Sequence, residues 1–148
     1  MGAVPEWLAW FDGAAAPNPG RLGLGALLVG PDGKRLEHSS LAGHGCNNEA
    51  ELLALCQVLE MAHEAGARRL TVRGDSDFVV RHVRGLAHTT VPRLLDLLQR
   101  VATSLLRFDA VELLWVPRHR NGDADQLSRK ALGLVAKPTP RPVSRRRR

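Results

Sequence analysis

Two acidic residues stand where predicted strands end, and two stand where helical patterns begin. Asp12 follows the apolar segment WLAWF, and Asp75 follows the predicted strand RLTVRG. Glu51 lies near the start of a long apolar helical pattern, and Asp125 opens the shorter pattern ADQLSRKAL. In open sheets whose strands are connected by helices, ligands bind beside the ends of the strands. The spacing therefore allows the folded chain to bring these carboxylates together.

Clustered carboxylates imply a particular chemistry. They repel one another strongly unless cations neutralise them, and oxygen ligands suit hard divalent ions such as Mg²⁺. Two such ions, about 3.5–4 Å apart, can promote attack by water on a phosphodiester and stabilise the leaving oxygen. Each acid also has an ordinary structural interpretation. Asp-Gly is common in turns, a Glu in a first helical turn interacts with the helix dipole, and an Asp before a helix can cap it.

Hydrophobic periodicity predicts one mixed sheet with helices on both faces, which is an α/β fold. The first three strands are joined by short turns and should be antiparallel, whereas strands four and five follow helices and should be parallel additions. Segment DGAAAPNPGRLG is predicted to be a turn region, and PRHRNGD a loop. The predicted strands are 7–11, 24–29, 34–43, 69–74 and 111–116, and the predicted helices are 49–65, 75–85, 91–108 and 124–132.

Composition is that of a globular protein of one domain. The chain has 148 residues, of which 44% are hydrophobic and 24% charged, enough for a single core. Aromatic residues make up only 4%, so base stacking cannot be the main mode of nucleic-acid binding. Two cysteines, Cys46 and Cys56, suit a reducing compartment. We expect no signal peptide and no membrane span, because no apolar run approaches the roughly 20 residues that a span needs; a cytoplasmic location follows.

Positive charge is concentrated at the C-terminus. The chain has 21 Lys and Arg against 15 Asp and Glu, a net charge of +6. Eight of the basic residues lie in the last twenty positions, which contain no acid, so residues 1–128 carry 13 basic and 15 acidic residues, a net charge of −2. We predict a folded domain at 1–135 and a disordered Pro- and Arg-rich tail at 136–148. The tail's arginines should attract a polyanion in a salt-dependent manner.

Four motifs, in this order, carry a family resemblance: FDGAAAPNPG, NNEAELLAL, GDSDFVV and NGDADQLS. They resemble the four catalytic segments of type 1 ribonuclease H, and the resemblance extends from about residue 7 to 132. It is greatest to the archaeal-type and short bacterial branch. A single match of this kind is weak, but four in order on the appropriate elements are specific.

The resemblance implies a ribonuclease H-like fold and hydrolysis of the RNA strand of RNA–DNA hybrids. It also implies a two-metal-ion mechanism with Mg²⁺, for which Mn²⁺ can substitute, leaving 5′-phosphate and 3′-hydroxyl ends. The expected protein is a monomer. Whether it also cuts double-stranded RNA stays open.

The same resemblance assigns residues. Asp12, Glu51, Asp75 and Asp125 resemble the catalytic acids that bind the metal ions, whereas Glu49, Asp77 and Asp123 are neighbours outside the motif positions. His119 occupies the place of a mobile histidine that assists proton transfer or product departure; a solvated loop histidine is the alternative. Asn18, Asn47 and Asn48 match positions that contact the minor groove of the hybrid, where 2′-hydroxyls are recognised; turn and cap chemistry is the alternative.

Two other functions are compatible with this fold. A nucleic-acid-binding module without catalysis would be favoured by the loss of an acid, but all four are present. A proofreading exonuclease would carry Asp-x-Glu in its first strand, whereas Gly13 and Ala14 follow Asp12 here.

Overall fold

The computed structural model describes residues 4–134. Its helices and strands follow one another in the predicted order, and a short 3-10 helix at Arg118–Arg120 precedes the last helix. The strands are β1 (Glu6–Ala16), β2 (Gly20–Val29), β3 (Arg35–Gly45), β4 (Arg69–Gly74) and β5 (Ala110–Trp115). The helices are α1 (Asn47–Glu64), α2 (Asp77–Val83), α3 (Pro92–Leu105) and α4 (Gly122–Ala131).

The five strands form one mixed sheet in the order β3-β2-β1-β4-β5. Strand β2 is antiparallel to both β1 and β3, and β4 is parallel to both β1 and β5. The predicted fold class, with three antiparallel strands and two parallel additions, is confirmed. Strand β1 lies at the centre of the sheet and β4 lies beside it. Asp12 in β1 and Asp75 directly after β4 are therefore neighbours.

Helices cover both faces of the sheet, as predicted. Leu24, Ala26 and Leu28 of β2 belong to the main hydrophobic core, which also contains the buried side of α1. Gly23 and Gly25 of the same strand lie against α4 instead. Since successive residues of a strand point to opposite faces, α1 and α4 lie on opposite sides of the sheet. Helix α3 packs outside α1.

The predicted end of the first strand was wrong. We expected the strand to stop at residue 11 and Asp12-Gly13 to begin a turn, but β1 continues to Ala16. The segment after Asp12 pairs with β2, with Asp12 opposite Gly25 and Ala16 opposite Arg21. The reversal of the chain is delayed to residues 17–19, PNP, and the Ala16–Pro17 and Asn18–Pro19 peptides are cis. Asp12 therefore lies within the central strand.

The other boundaries shift by a few residues. Helix α1 begins at Asn47, before the predicted residue 49, and α4 begins at Gly122, before the predicted residue 124. Asn121 is the N-cap residue of α4, so Asp125 lies in the first turn of the helix rather than capping it. The predicted tail at 136–148 lies outside the described residues. Among those that are described, no helix is both long and apolar enough to cross a membrane.

Candidate active site

Three carboxylates meet beside the C-terminal end of β4. Asp12 of β1, Glu51 of α1 and Asp75, which directly follows β4, have oxygen atoms that all lie within 4.8 Å of one another. Asp12 is 6% exposed and Glu51 is 9% exposed. They come from positions far apart in the sequence, so the cluster is a product of the sheet order.

Glu51 is held against β1 by the backbone of Gly13. The Gly13 N–H donates to Oε1 of Glu51 at 2.9 Å. A Cβ atom at position 13 would lie 2.2 Å from the carbonyl carbon of Ala50, so only glycine lets the first turns of α1 approach the strand this closely. The Asp-Gly pair thus serves the approach of a helix, not a turn.

Asp75 is placed by the end of β4 and by β5. The indole N–H of Trp115, the last residue of β5, donates to the backbone carbonyl of Asp75 at 3.2 Å. The side chain of Asp75 is partly buried, and its Oδ2 atom is buried with no hydrogen-bond partner among the described residues. Among the described residues, this oxygen is therefore left free to bind an added ligand.

The fourth predicted acid, Asp125, adjoins this cluster without belonging to the group of three. It is 9% exposed, and its charge raises the pKa values of both Asp12 and Asp75. The structure therefore places Asp125 close enough to interact electrostatically with the cluster. The other three acids lie close enough together to bind one cation.

Burial and repulsion favour the protonated acids when no cation is present. Burial raises the pKa of Asp12 from 3.8 to about 7, and the charges of Asp75 and Asp125 add to the increase while the Ser128 hydrogen bond opposes it. Burial likewise raises the pKa of Glu51 well above its usual range, with Asp12 and Asp75 acting in the same direction. The pKa of Asp75 is also raised, mainly by burial. A bound cation would instead favour the ionised carboxylates and lower their pKa values.

The cluster fits a hard divalent cation. All of its donors are carboxylate oxygens, the type of ligand that Mg²⁺ and Mn²⁺ prefer. The unpartnered Oδ2 of Asp75 offers a further free lone pair, and such buried oxygens are otherwise costly.

Three contributors to the site were not predicted from the sequence. The hydroxyl of Ser128 in α4 contacts Asp12, and the buried side chain of Asn121 donates to the backbone carbonyl of Phe11, beside Asp12. The charge of Arg118 lowers the pKa values of Asp12, Glu51 and Asp75. Asn121 and Ser128 are the first and last residues of the motif NGDADQLS, but no pattern in the sequence indicated their contacts.

Glu49, the nearest rival to Glu51, has a different environment. Its Oε1 accepts from the Cys46 N–H at 3.4 Å, and its Oε2 lies 3.4 Å from Nε of Arg93. Glu49 therefore caps the start of α1, which confirms its interpretation as an acid of the first helical turn.

The three predicted asparagines lie where α1 meets the end of β1. Oδ1 of Asn18 accepts from the Asn47 N–H at 3.1 Å, and Oδ1 of Asn47 accepts from the Ala15 N–H at 2.8 Å. These bonds organise the loop and use only the carbonyl oxygens. Asn18 and Asn47 are exposed and Asn48 is partly exposed. Their binding role stays a prediction.

His119 lies apart from the three clustered carboxylates, in the 3-10 helix Arg118–Arg120 that replaces the predicted loop. It is exposed, and together with Trp10, Arg35 and Asn121 it lines an open cavity of about 410 Å³. The role assigned to His119 also stays a prediction.

The fold and the site together define an α/β domain with an acidic cluster, suited to divalent metal, beside the C-terminal end of β4. The family model described as reverse transcriptase-like matches residues 10–131. The chain is 34% identical to the ribonuclease H of Dinoroseobacter shibae over 148 aligned residues, which cover 87% of this chain and 92% of that protein. The chain belongs to the ribonuclease H family.

Solved structures agree with this assignment. The chain is 38% identical to ribonuclease HI of Halobacterium salinarum over 84% of its own length, but it spans only 63% of that relative. The crystal structure of RNase H1 from that archaeon superposes with a TM-score of 0.83, covering 86% of this chain and 98% of that one at 36% identity. LC11-RNase H1 in complex with an RNA/DNA hybrid has a TM-score of 0.78 at 28% identity, covering 86% and 96%.

Proposed function

We propose that this chain hydrolyses the RNA strand of RNA–DNA hybrids as a metal-dependent endonuclease. The observation that carries the proposal is the meeting of Asp12, Glu51 and Asp75 within 4.8 Å on a fold shared with the ribonucleases H. The solved complex of LC11-RNase H1 with an RNA/DNA hybrid supports the choice of substrate. Asp125 is proposed as the fourth acid.

Asp12, Glu51, Asp75 and Asp125 would together hold the metal, which is proposed to be two Mg²⁺ ions, with Mn²⁺ as a substitute. Such ions supply the positive charge that promotes attack by water on a phosphodiester and stabilises the leaving oxygen. The protein's own part is to hold the carboxylates rigidly, through the Gly13 N–H on Glu51 and the Trp115 indole on the Asp75 backbone. Cleavage is proposed to leave 5′-phosphate and 3′-hydroxyl ends.

Recognition of the hybrid is proposed to fall to Asn18, Asn47 and Asn48. The hydrogen bonds of Asn18 and Asn47 within the loop occupy their carbonyl oxygens. Their side-chain NH₂ groups can therefore donate to 2′-hydroxyls, which distinguish RNA from DNA. The arginines of the tail are proposed to add sequence-independent attraction to phosphates. We further propose a cytoplasmic monomer, in keeping with the two free cysteines.

The test is cleavage of end-labelled substrates by the full chain. RNA–DNA hybrid, duplex RNA and duplex DNA are each incubated with Mg²⁺, with Mn²⁺ or with EDTA. We expect cuts within the RNA strand of the hybrid with either metal and none in EDTA. Ligation of the products by an enzyme that requires 5′-phosphate and 3′-hydroxyl ends checks the end chemistry. Binding of hybrid without cleavage under all metal conditions would leave a non-catalytic binding module, and cleavage of duplex RNA would widen the substrate class.

Replacement of His119 by Ala should lower turnover by a factor at or below about 100. General acid–base groups commonly contribute 10²–10⁴-fold, and an exposed group outside the acid cluster should contribute near the bottom of that range. Steady-state rates across a Mg²⁺ titration measure the effect, and the Mg²⁺ concentration at half-maximal rate should not move. An unchanged rate would assign His119 to the solvated surface.

A further inference from the structure

Ser128 of α4 contacts the central acid of the site. Its side chain is 0% exposed, and its hydroxyl lies 2.5 Å from Oδ2 of Asp12. The same hydroxyl lies 2.9 Å from the backbone carbonyl of Asp125, three residues earlier in the helix. Ser128 thus connects two of the proposed metal-binding acids, although it can neither bind nor release a proton at neutral pH.

This contact depends on how closely α4 approaches β2. Gly25, the strand neighbour of Asp12, has no side chain between the sheet and the helix. A Cβ atom there would lie 2.3 Å from the carbonyl oxygen of Ala124 and 2.6 Å from the backbone nitrogen of Ser128. The glycine therefore allows the backbone of α4 to lie directly beside Asp12, within reach of a side chain as short as that of serine.

We propose that Ser128 is a positioning residue for metal binding. Its hydroxyl donates to Oδ2 of Asp12, fixes the orientation of that carboxylate, and leaves the other oxygen free for the cation. Hydrogen bonds to an ionised acceptor are short and strong. Groups that hydrogen-bond to a metal-binding side chain and orient it commonly affect the metal affinity. The inference rests on the proposed function only in taking Asp12 as a metal ligand.

The Ser128 hydroxyl has one hydrogen, so it can donate fully to only one of its two neighbouring acceptors. The alternative to Asp12 is the backbone carbonyl of Asp125. Serine in a helix often donates to the carbonyl three or four residues earlier, and the Asp125 carbonyl is placed for that bond. If the hydroxyl donates to that carbonyl in the metal-loaded protein, Ser128 only supports the backbone of α4, and the orientation of Asp12 does not depend on it. The two arrangements differ in what loss of the hydroxyl does to metal affinity.

Calorimetric titration of the full chain with Mg²⁺, in the absence of nucleic acid, distinguishes them. We expect Ser128→Ala to weaken Mg²⁺ binding by about 10- to 100-fold, the usual effect of losing such a partner. Ser128→Thr keeps the hydroxyl and should restore affinity. The matched control is Ser39→Ala, because the Ser39 hydroxyl donates to the Leu127 carbonyl at 2.6 Å. That contact lies at the same interface between the sheet and α4, but its acceptor is a backbone carbonyl and not one of the acids, so Mg²⁺ affinity should not change.

A folded Ser128→Ala protein with the Mg²⁺ affinity of the wild type would overturn the proposal. Should that variant be too unstable to measure, Ser128→Cys keeps a weak donor in a similar volume. It should then show a partial loss, and unaltered binding would count equally against the idea. Binding and cleavage separate the two proposals. A wild-type chain that binds Mg²⁺ but does not cut the hybrid contradicts the function while leaving the role of Ser128 open to the same titration.

Discussion

Asp12→Asn should lower the rate of hybrid cleavage by more than about 1,000-fold, the scale expected when a central member of a catalytic group is removed. Asn keeps the shape of the side chain but loses the negative charge and one of the two oxygen ligands. Asp12 is buried, and its carboxylate lies within 4.8 Å of those of Glu51 and Asp75. Asp75→Asn should have a comparable effect. Single-turnover cleavage of labelled hybrid in saturating Mg²⁺ measures both.

The fold should survive Asp12→Asn, and thermal unfolding in EDTA checks it. The folded-state pKa of Asp12 is raised to about 7 from 3.8, so its ionised form destabilises the metal-free protein. That cost is fully present above about pH 7 and disappears as the pH falls toward 4, because the carboxyl is then protonated in the folded state. The Asn variant should therefore melt about 5 °C higher than the wild type at pH 8, and the difference should shrink at pH 5.

Two outcomes would contradict this view of Asp12. Retention of most of the activity would remove the residue from the catalytic group. A loss of activity accompanied by a lower melting temperature in EDTA at pH 8 would mean that the carboxylate stabilises the fold and that the rate fell for that reason.

The sheet could be predicted because its strands differ clearly from what surrounds them. RLTVRG is short, apolar on its buried side and bounded by charged residues and glycine, and β4 occupies the predicted residues Arg69–Gly74. The first strand was predicted too short because Asp-Gly is read locally as a turn signal. In the structure Gly13 is required by the approach of α1 to the strand, and no local pattern reports a contact with a helix that begins over thirty residues later.

The acids could be anticipated from the order of the motifs, but the groups that hold them could not. Ser128 reaches Asp12 across 116 positions, and Asn121 reaches the Phe11 carbonyl across 110. Each of these contacts depends on where α4 lies on the sheet. That placement follows from the absence of side chains at Gly23 and Gly25, which in the sequence look like ordinary strand glycines. Positions of supporting residues therefore emerge only with the packing.

Glu51→Gln should reduce cleavage by at least about 100-fold. Glu49→Gln should change the rate by less than about threefold, because Gln can still cap the start of α1 and only the negative charge that pairs with Arg93 is lost. Two residues that differ by two positions on a helix point about 200° apart. Glu51 faces the sheet and accepts from the Gly13 N–H, whereas Glu49 turns back to the Cys46 N–H and to Arg93. Only Glu51 can share a cation with Asp12 and Asp75.

The pair of variants is its own control, since each replaces a carboxylate by an amide in the same turn of α1. Gln at position 51 can still accept from Gly13 through its carbonyl oxygen, so the loss of rate should come from metal binding, and Mg²⁺ titration of the free protein should show weakened affinity. Glu49→Gln should instead lower the unfolding free energy by about 0.3–1 kcal/mol, the size of a favourable charge at a helix N-terminus, because the negative charge that pairs with Arg93 is lost. The Mg²⁺ affinity should be unaltered. Equal losses of rate in the two variants would mean that the carboxylate at 49 also takes part in the reaction. The position of Glu51 on the side of α1 that faces the sheet would then not be what selects it as a metal ligand.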